Sequence, residues 1–400
     1  MVKVQDKMEK DFELKVKIMV VDDEVDLEPL IRQKFRRKVR SGEYDFVFAH
    51  NGLEALTKLI EHPDIAIILS DINMPEMDGL TLLLKLKELK NPSLKTVVVS
   101  AYGDMENIRT AMNRGAFDFL TKPINFQDLE ITIKKTMEEI ILQRNALIEH
   151  DKLISIQHDL NVAGEIQKGI LPQVFPPYPD RSDFEIFASM VAAKEVGGDF
   201  YDFFMIDNDR LGFVIGDVSG KGIPAAIFMA VSRTLIRSTA LKGMPASECM
   251  HYVNNLLCNE SVSCMFVTVF YGIMDMKTGE LEYANAGHNP PYILNNSGQI
   301  QMLESAGDIV MGVFEDKQFA TRSVQLKPQE GVLLFTDGVT EAFNLQNEAY
   351  GEPRLEKLIS TLHDSSSEKV INTIVTDVDD FTQGAPQSDD ITMLYMKYLG

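Results

Sequence analysis

The stretch that decides how this chain is read runs from Phe126 to Leu171, FQDLEITIKKTMEEIILQRNALIEHDKLISIQHDLNVAGEIQKGIL. It contains no proline. Its apolar residues recur at steps of three and four: Leu129, Ile133, Met137 and Ile140, then Leu153, Ile156, Leu160, Ala163 and Ile170. That spacing predicts a helix. The two runs do not share a phase, because Arg144, Glu149 and Asp151 interrupt the seam, so a coiled coil here carries a stutter or divides into two packed segments. About 45 residues at 1.5 Å each reach roughly 68 Å, farther than one small domain spans. Pro172, Pro176, Pro177 and Pro179 end the helix, since proline lacks an amide proton and clashes inside one. Residues 126–171 are therefore expected to link two blocks of different chemistry. They do so either as the last helix of one domain followed by the first of the next, or as a signalling helix that also dimerises the protein.

The 400 residues and their 45% apolar content fit two or three globular domains. A formal charge of −21 repels a phosphate backbone, and no cluster of lysine and arginine is interleaved with aromatics, so nucleic acid is excluded as a direct partner. Cys249, Cys258 and Cys264 are unevenly spaced without a C-x-x-C pair, which argues for buried thiols rather than disulfides or zinc. No run approaches 18 apolar residues, and Met1 to Lys17 is of mixed charge, so a soluble cytoplasmic protein with no membrane partner is expected.

Upstream of the helix, over residues 15–125, short apolar runs alternate with helical ones. Lys17 to Val21 stops at Asp22-Asp23, Tyr44 to Ala49 follows, Ile65 to Leu69 leads to Asp71, Thr96 to Val99 to Ser100, and Phe117 to Leu120 to Lys122. A helix over Asp26 to Arg40 is expected after the first run, and others precede each later strand. Such alternation predicts a doubly wound five-stranded parallel sheet with its site at the strands' carboxyl ends. Clustered carboxylates bind a hard cation such as Mg²⁺, beside which one of them can accept a phosphoryl group while an ammonium and a hydroxyl steady its oxygens. The block resembles the receiver domain of two-component response regulators: Asp22-Asp23, Asp71 within Asp71-Ile72-Asn73-Met74-Pro75-Glu76-Met77-Asp78-Gly79, Ser100, Phe119 and Lys122-Pro123 carry the likeness. The resemblance implies phosphorylation of Asp71 by a histidine kinase or a small phosphodonor, Mg²⁺ on Asp22, Asp23 and Asp71, switch roles for Ser100, Phe119 and Lys122, and a cis Lys122-Pro123 bond.

Downstream, over residues 172–400, strand-like runs cluster and helices come in pairs, about Pro224 to Leu241 with Ala246 to Cys258 and Glu352 to Leu362 with Ser367 to Phe381. That order predicts α+β architecture, antiparallel sheets flanked by helices. Acidic residues stand beside glycine at the run ends: Gly198-Asp199, Gly216-Asp217, Asp337-Gly338 and Ser388-Asp389-Asp390. Each alone reads as a turn, and together they read as a divalent-cation site. Gly197-Gly198-Asp199-Phe200 is not a nucleotide-cyclase signature, because Phe200 stands where a second acid is needed.

The motifs Val196-Gly197-Gly198-Asp199-Phe200-Tyr201-Asp202, Gly216-Asp217-Val218-Ser219-Gly220-Lys221-Gly222, Asn285-Ala286-Gly287-His288-Asn289-Pro290-Pro291, Thr336-Asp337-Gly338-Val339-Thr340-Glu341-Ala342 and Ser388-Asp389-Asp390-Ile391-Thr392 resemble the metal-dependent, PP2C-like serine/threonine phosphatases. The likeness is to the bacterial branch that controls sigma-factor partner switching, and it extends back to Ala163, Ile166, Gln167, Leu171 and Pro172, with Gly164 where an arginine is usual. It implies that Asp199, Asp217, Asp337 and Asp389 are catalytic through two Mn²⁺ or Mg²⁺ ions, with the Val218 carbonyl as a ligand and Asp390 as an auxiliary. His288 reads as a turn residue or a proton donor, and Lys221 as a phosphate contact or a solvated side chain. The implied function is a response regulator whose output dephosphorylates a phosphoserine or phosphothreonine protein, an anti-sigma-factor antagonist by resemblance. The alternative is a sigma-factor or anti-sigma-factor binding adaptor with a phosphatase-like domain. A homodimer through the linker helix is expected.

Overall fold

Strand β1 (Val16–Val21) is apolar at every position but Lys17 rather than at every second position, because both of its faces are covered. Ile18 and Val20 enter one core with Ile67 and Leu69, while Met19 and Val21 enter another with Ile68 and Leu82. This strand lies in a parallel sheet with β2 (Tyr44–Ala49), β3 (Ile65–Asp71), β4 (Lys95–Ala101) and β5 (Asp118–Lys122), ordered β2-β1-β3-β4-β5. Helices α1 (Leu27–Lys34), α2 (Arg36–Ser41), α3 (Gly52–Glu61), α4 (Gly79–Glu88) and α5 (Met105–Arg114) connect the strands. The computed structural model describes residues 15–260, 265–304 and 309–400, and the chain divides into two units, one through Ser155 and one from Ile156 onward.

The single helix expected over Asp26 to Arg40 is in fact two. It breaks at Phe35, whose buried ring packs 5.9 Å from Tyr44 and 5.6 Å from Phe46, so aromatic packing onto β2 overrides helix continuity. The bond before Pro123 is cis. Helix α6 (Phe126–Ile170) begins on this unit, with Leu129, Ile133 and Ile140 buried among the side chains of β1 and β3. Residues 145–159 of the same helix are exposed on every side. Among the described residues no helix is long and apolar enough to cross a membrane.

In the second unit β13 (Arg322–Gln325), β10 (Glu280–Ala286), β9 (Val267–Asp275), β8 (Arg210–Val218) and β7 (Phe200–Met205) form one antiparallel sheet in that order. The other is β12 (Ile300–Met302), β11 (Tyr292–Leu294), β14 (Gly331–Phe335), β15 (Ile391–Tyr398) and β6 (Phe184–Val191). Alternation along β14 and β15 separates two cores. Val332, Leu334, Leu394 and Met396 join Val214, Phe270 and the buried faces of α7 (Ile223–Ala240) and α8 (Ala246–Glu260). Leu333, Phe335, Met393 and Tyr395 join α10 (Glu352–Ile359) and α11 (Ser367–Thr382), which follow the short α9 (Asp337–Thr340). Strands β7, β11, β12 and β13 carried no expectation from sequence. Cys249 is buried and Cys258 partly so, as isolated thiols, and Cys264 lies outside the described residues.

Ile133 is wholly buried, so Ile133→Ala should cost the first unit about 2–5 kcal/mol of stability. Chemical denaturation followed by amide exchange in the β1–β5 sheet reads this directly, and an unchanged midpoint for that sheet would contradict the packing described.

Candidate active sites

Two acidic sites form, one in each unit. In the first, β1, β3 and β5 run parallel and end at the same edge, which brings Asp22, Asp23, Asp71 and Lys122 together. Ligand oxygens of Asp22, Asp23 and Asp71 all lie within 4.8 Å of one another, a grouping of three that no other His, Cys, Asp or Glu set attains among the described residues. Lys122 Nζ lies 2.7 Å from Asp71 Oδ2, 3.0 Å from Asp22 Oδ2 and 2.8 Å from Glu24 Oε1. Burial acts to lower the Lys122 pKa, but these contacts with Asp71, Glu24 and Asp22 outweigh it and hold the ammonium above its ordinary range. Burial raises Asp22, with the Glu24 amide and Lys122 opposing. Ser100 is fully buried at the end of β4, and Phe119 is partly exposed on β5. One ammonium shared among three carboxylates leaves the donor set anionic and all-oxygen, which suits a hard divalent cation.

In the second unit each sheet supplies half of the acidic array. Asp199 precedes β7 and Asp217 lies near the end of β8, and the pairing of Phe200 with Gly216 sets them side by side. Asp337 opens α9 just after β14, and Asp389 and Asp390 immediately precede β15. Burial, then the charges of Asp217 and Asp390, push Asp199 well above the usual carboxylate range. Asp217 is pushed up to about 7 by burial and the Asp337, Asp389 and Asp390 charges, against a hydrogen bond with Asp199. Asp337 is raised by burial and by Glu341 and Asp389. Carboxylates held this way take up either protons or cations, so an all-oxygen donor set of this kind fits divalent ions.

The array is fixed by contacts that the linear sequence did not pair. Thr336, fully buried, donates its hydroxyl to Asp199 Oδ2 at 2.8 Å and accepts the Thr392 amide at 3.1 Å. Asp390 accepts Ala193 N through Oδ1 (2.8 Å) and Gly198 N through Oδ2 (2.6 Å), so its carboxylate holds the loop leading to Asp199. Gln167 holds that loop from the other side, donating to the Gly197 carbonyl at 2.6 Å and accepting the Gly197 amide at 2.9 Å. Gly164 makes this docking possible: a Cβ there would lie 2.3 Å from the Glu195 carbonyl oxygen, a fit that no arginine permits. Asp202, fully buried, pairs with Arg233 (2.9 Å) and Arg237 (2.7 Å) and so ties β7 to α7. Only the Thr-Asp-Gly and Ile-Gln motifs hinted at these roles.

His288 is buried and its pKa is lowered to about 4 by desolvation. Its Nδ1 meets the Thr268 hydroxyl at 2.8 Å, and its backbone exchanges hydrogen bonds with the Asn285 side chain. It is a neutral turn residue in this geometry. Lys221 reaches Asp389 Oδ2 at 2.9 Å.

Residues 18–134 match the family model of the response regulator receiver domain, and residues 207–399 that of stage II sporulation protein E (SpoIIE). Protein IcfG of Synechocystis is 33% identical over 263 residues, 59% of this chain and 41% of that protein. Phosphoserine phosphatase RsbU of Bacillus subtilis is 28% identical over 276 residues, 68% of this chain and 80% of that protein. The chain thus spans less than half the length of the first and most of the second. The SiaA-PP2C domain of Pseudomonas aeruginosa superposes with a TM-score of 0.55 at 20% identity, over 62% of this chain and 98% of that one, a likeness of fold.

If Thr336 orients Asp199, Thr336→Val should weaken Mn²⁺ binding about tenfold, the worth of a hydrogen bond to a charged group, while Thr336→Ser retains it. Equal Mn²⁺ affinity in the valine variant, read by calorimetric titration, would contradict that role.

Proposed function

Residues 18–134 form a response regulator receiver domain and residues 207–399 a SpoIIE-type, PP2C-like domain, and from that premise we propose a phosphorylation-controlled, metal-dependent protein phosphatase. It acts on phosphoserine or phosphothreonine, and its substrate is an anti-sigma-factor antagonist. The observation that carries this reading is the five-aspartate array at the ends of two sheets, in which burial and neighbouring carboxylates raise Asp199, Asp217 and Asp337.

In the receiver, 15–125 by our division, Asp71 is the phosphoryl acceptor and a histidine kinase the donor. The Asp71 oxygen forms the new bond to phosphorus as the donor's bond to it breaks, and Lys122, already 2.7 Å from Asp71, is placed to hold a transferred oxygen. Asp22, Asp23 and Asp71 would hold Mg²⁺. Ser100 and Phe119 respond to the modification.

In the phosphatase, 172–400, Asp199, Asp217, Asp337, Asp389 and the Val218 carbonyl would hold two Mn²⁺ or Mg²⁺ ions, with Asp390 as an auxiliary that also fixes the Gly198 loop. Bound divalent ions there supply a nucleophilic water at neutral pH and offset the charge that develops on the phosphoester. The protein's own part is to keep the carboxylates spaced and oriented through Thr336, Asp390 and Gln167. Helix 126–171 relays the receiver's state and forms a homodimer contact. Exposed Leu147, Leu153, Ile156 and Ile166 on that helix support such a contact, and Gln167 supplies a direct link from the helix to the Asp199 loop.

Asp217→Asn preserves shape and removes charge. It should cut phosphate release from a phosphoserine protein by on the order of a hundredfold or more, as should excess chelator. Full activity in either case would overturn the reading.

A further inference from the structure

The carboxylate array of the second unit has a positive side chain of its own, on one side only. Lys221 stands on the turn after β8, between Gly220 (φ 88°) and Gly222 (φ 78°), a backbone that favours glycine at both flanks. A Cβ on either glycine would meet nothing within 4 Å, so the turn is bordered by open space. The Lys221 ammonium lies 2.9 Å from Asp389 Oδ2 and also donates to the Ser388 carbonyl. Asp390 and Asp337 feel the same charge. All four residues it addresses come from the segments after β14 and before β15.

The other side of the array has no such partner. Among the described residues no lysine or arginine pairs with Asp199 or Asp217, which share a hydrogen bond with each other and, through Asp199, with Thr336. The Lys221–Asp389 pair is also open to water, with side-chain exposures of 43% and 38%, so solvent can replace either partner. The exposed Lys221 ammonium therefore offsets part of the charge on the Asp337, Asp389 and Asp390 side of the array.

We propose that Lys221 is a positioning residue: a resident counter-ion that must yield Asp389 before a divalent cation binds on that side, so that the Asp199–Asp217 half loads first. The inference rests on the cation-site reading proposed above. A flexible ammonium and a cation competing for one carboxylate lower the cation's apparent affinity by the worth of the ion pair. The two cation affinities consequently differ, and the weaker is set by Lys221.

The test is calorimetric titration of the full chain with Mn²⁺ alone, in an Asp23→Asn background that removes the receiver's cluster from the measurement. Lys221→Met should tighten the weaker Mn²⁺ site about fivefold, the upper range for an exposed ion pair, and leave the stronger site unchanged. Lys221→Arg should restore the parent affinity, which a merely structural role for the turn would not require. Unchanged or weakened binding in Lys221→Met overturns the proposal while leaving the cation site intact. If Asp217→Asn and Asp389→Asn both titrate like the parent, the cation-site reading itself fails, and the role of Lys221 fails with it.

Discussion

Mutual repulsion among carboxylates, contained by a few donors, is the constraint on which both sites depend. Three acidic side chains within 4.8 Å at the edge of the parallel sheet, and five more at the ends of the two antiparallel sheets, are arrangements that water alone would disperse. Covalent geometry supplies the first restraint, since each carboxylate is anchored at or beside a strand terminus. The second comes from hydrogen-bond donors spent on holding rather than on neutralising. Thr336 grips Asp199, and backbone amides at 193 and 198 grip Asp390. Burial then makes the residual charge costly, as the raised Asp199, Asp217 and Asp337 show.

The two sites answer the repulsion in related ways. Lys122 spans Asp71, Asp22 and Glu24 in the first unit, and Lys221 spans Asp389 and its neighbours in the second. In each case a single ammonium offsets part of the negative charge of its site. Lys122 is the more enclosed, with 22% of its side chain exposed against 43% for Lys221. That difference favours a fixed role for Lys122 and a displaceable one for Lys221.

Much of this was legible in the chain. The parallel sheet followed from apolar runs that each stop at Asp22, Asp71, Ser100 or Lys122, because in such a sheet those stops must share an edge. The ends of the long helix followed from the absence of proline up to Pro172. What escaped was of two kinds. Strands β11, β12 and β13 are only three or four residues long, too short for a period to register. The contacts of Thr336 with Asp199, Gln167 with Gly197, and Asp202 with Arg233 and Arg237 join residues 30 to 137 positions apart, and nothing in a linear pattern pairs them. Phe35 illustrates the converse: the residues on either side of it carry a helical pattern, but a buried aromatic contact breaks the helix in two.

Gln167 bears most directly on control, since one amide side chain joins the end of a 45-residue helix to the loop that carries Asp199. A modest shift of that helix would displace a carboxylate whose position its hydrogen bonds otherwise fix, and an input that favours one helix position changes activity only by its differential affinity for the two states. The decisive measurement is the rate of phosphate release from a phosphoserine protein with Mn²⁺, taken before and after treatment of the chain with a small phosphodonor, in the wild type and in Asp71→Asn. The account predicts a faster rate after treatment in the wild type and no response in Asp71→Asn. An identical rate before and after in the wild type, or an undiminished response in Asp71→Asn, would contradict it.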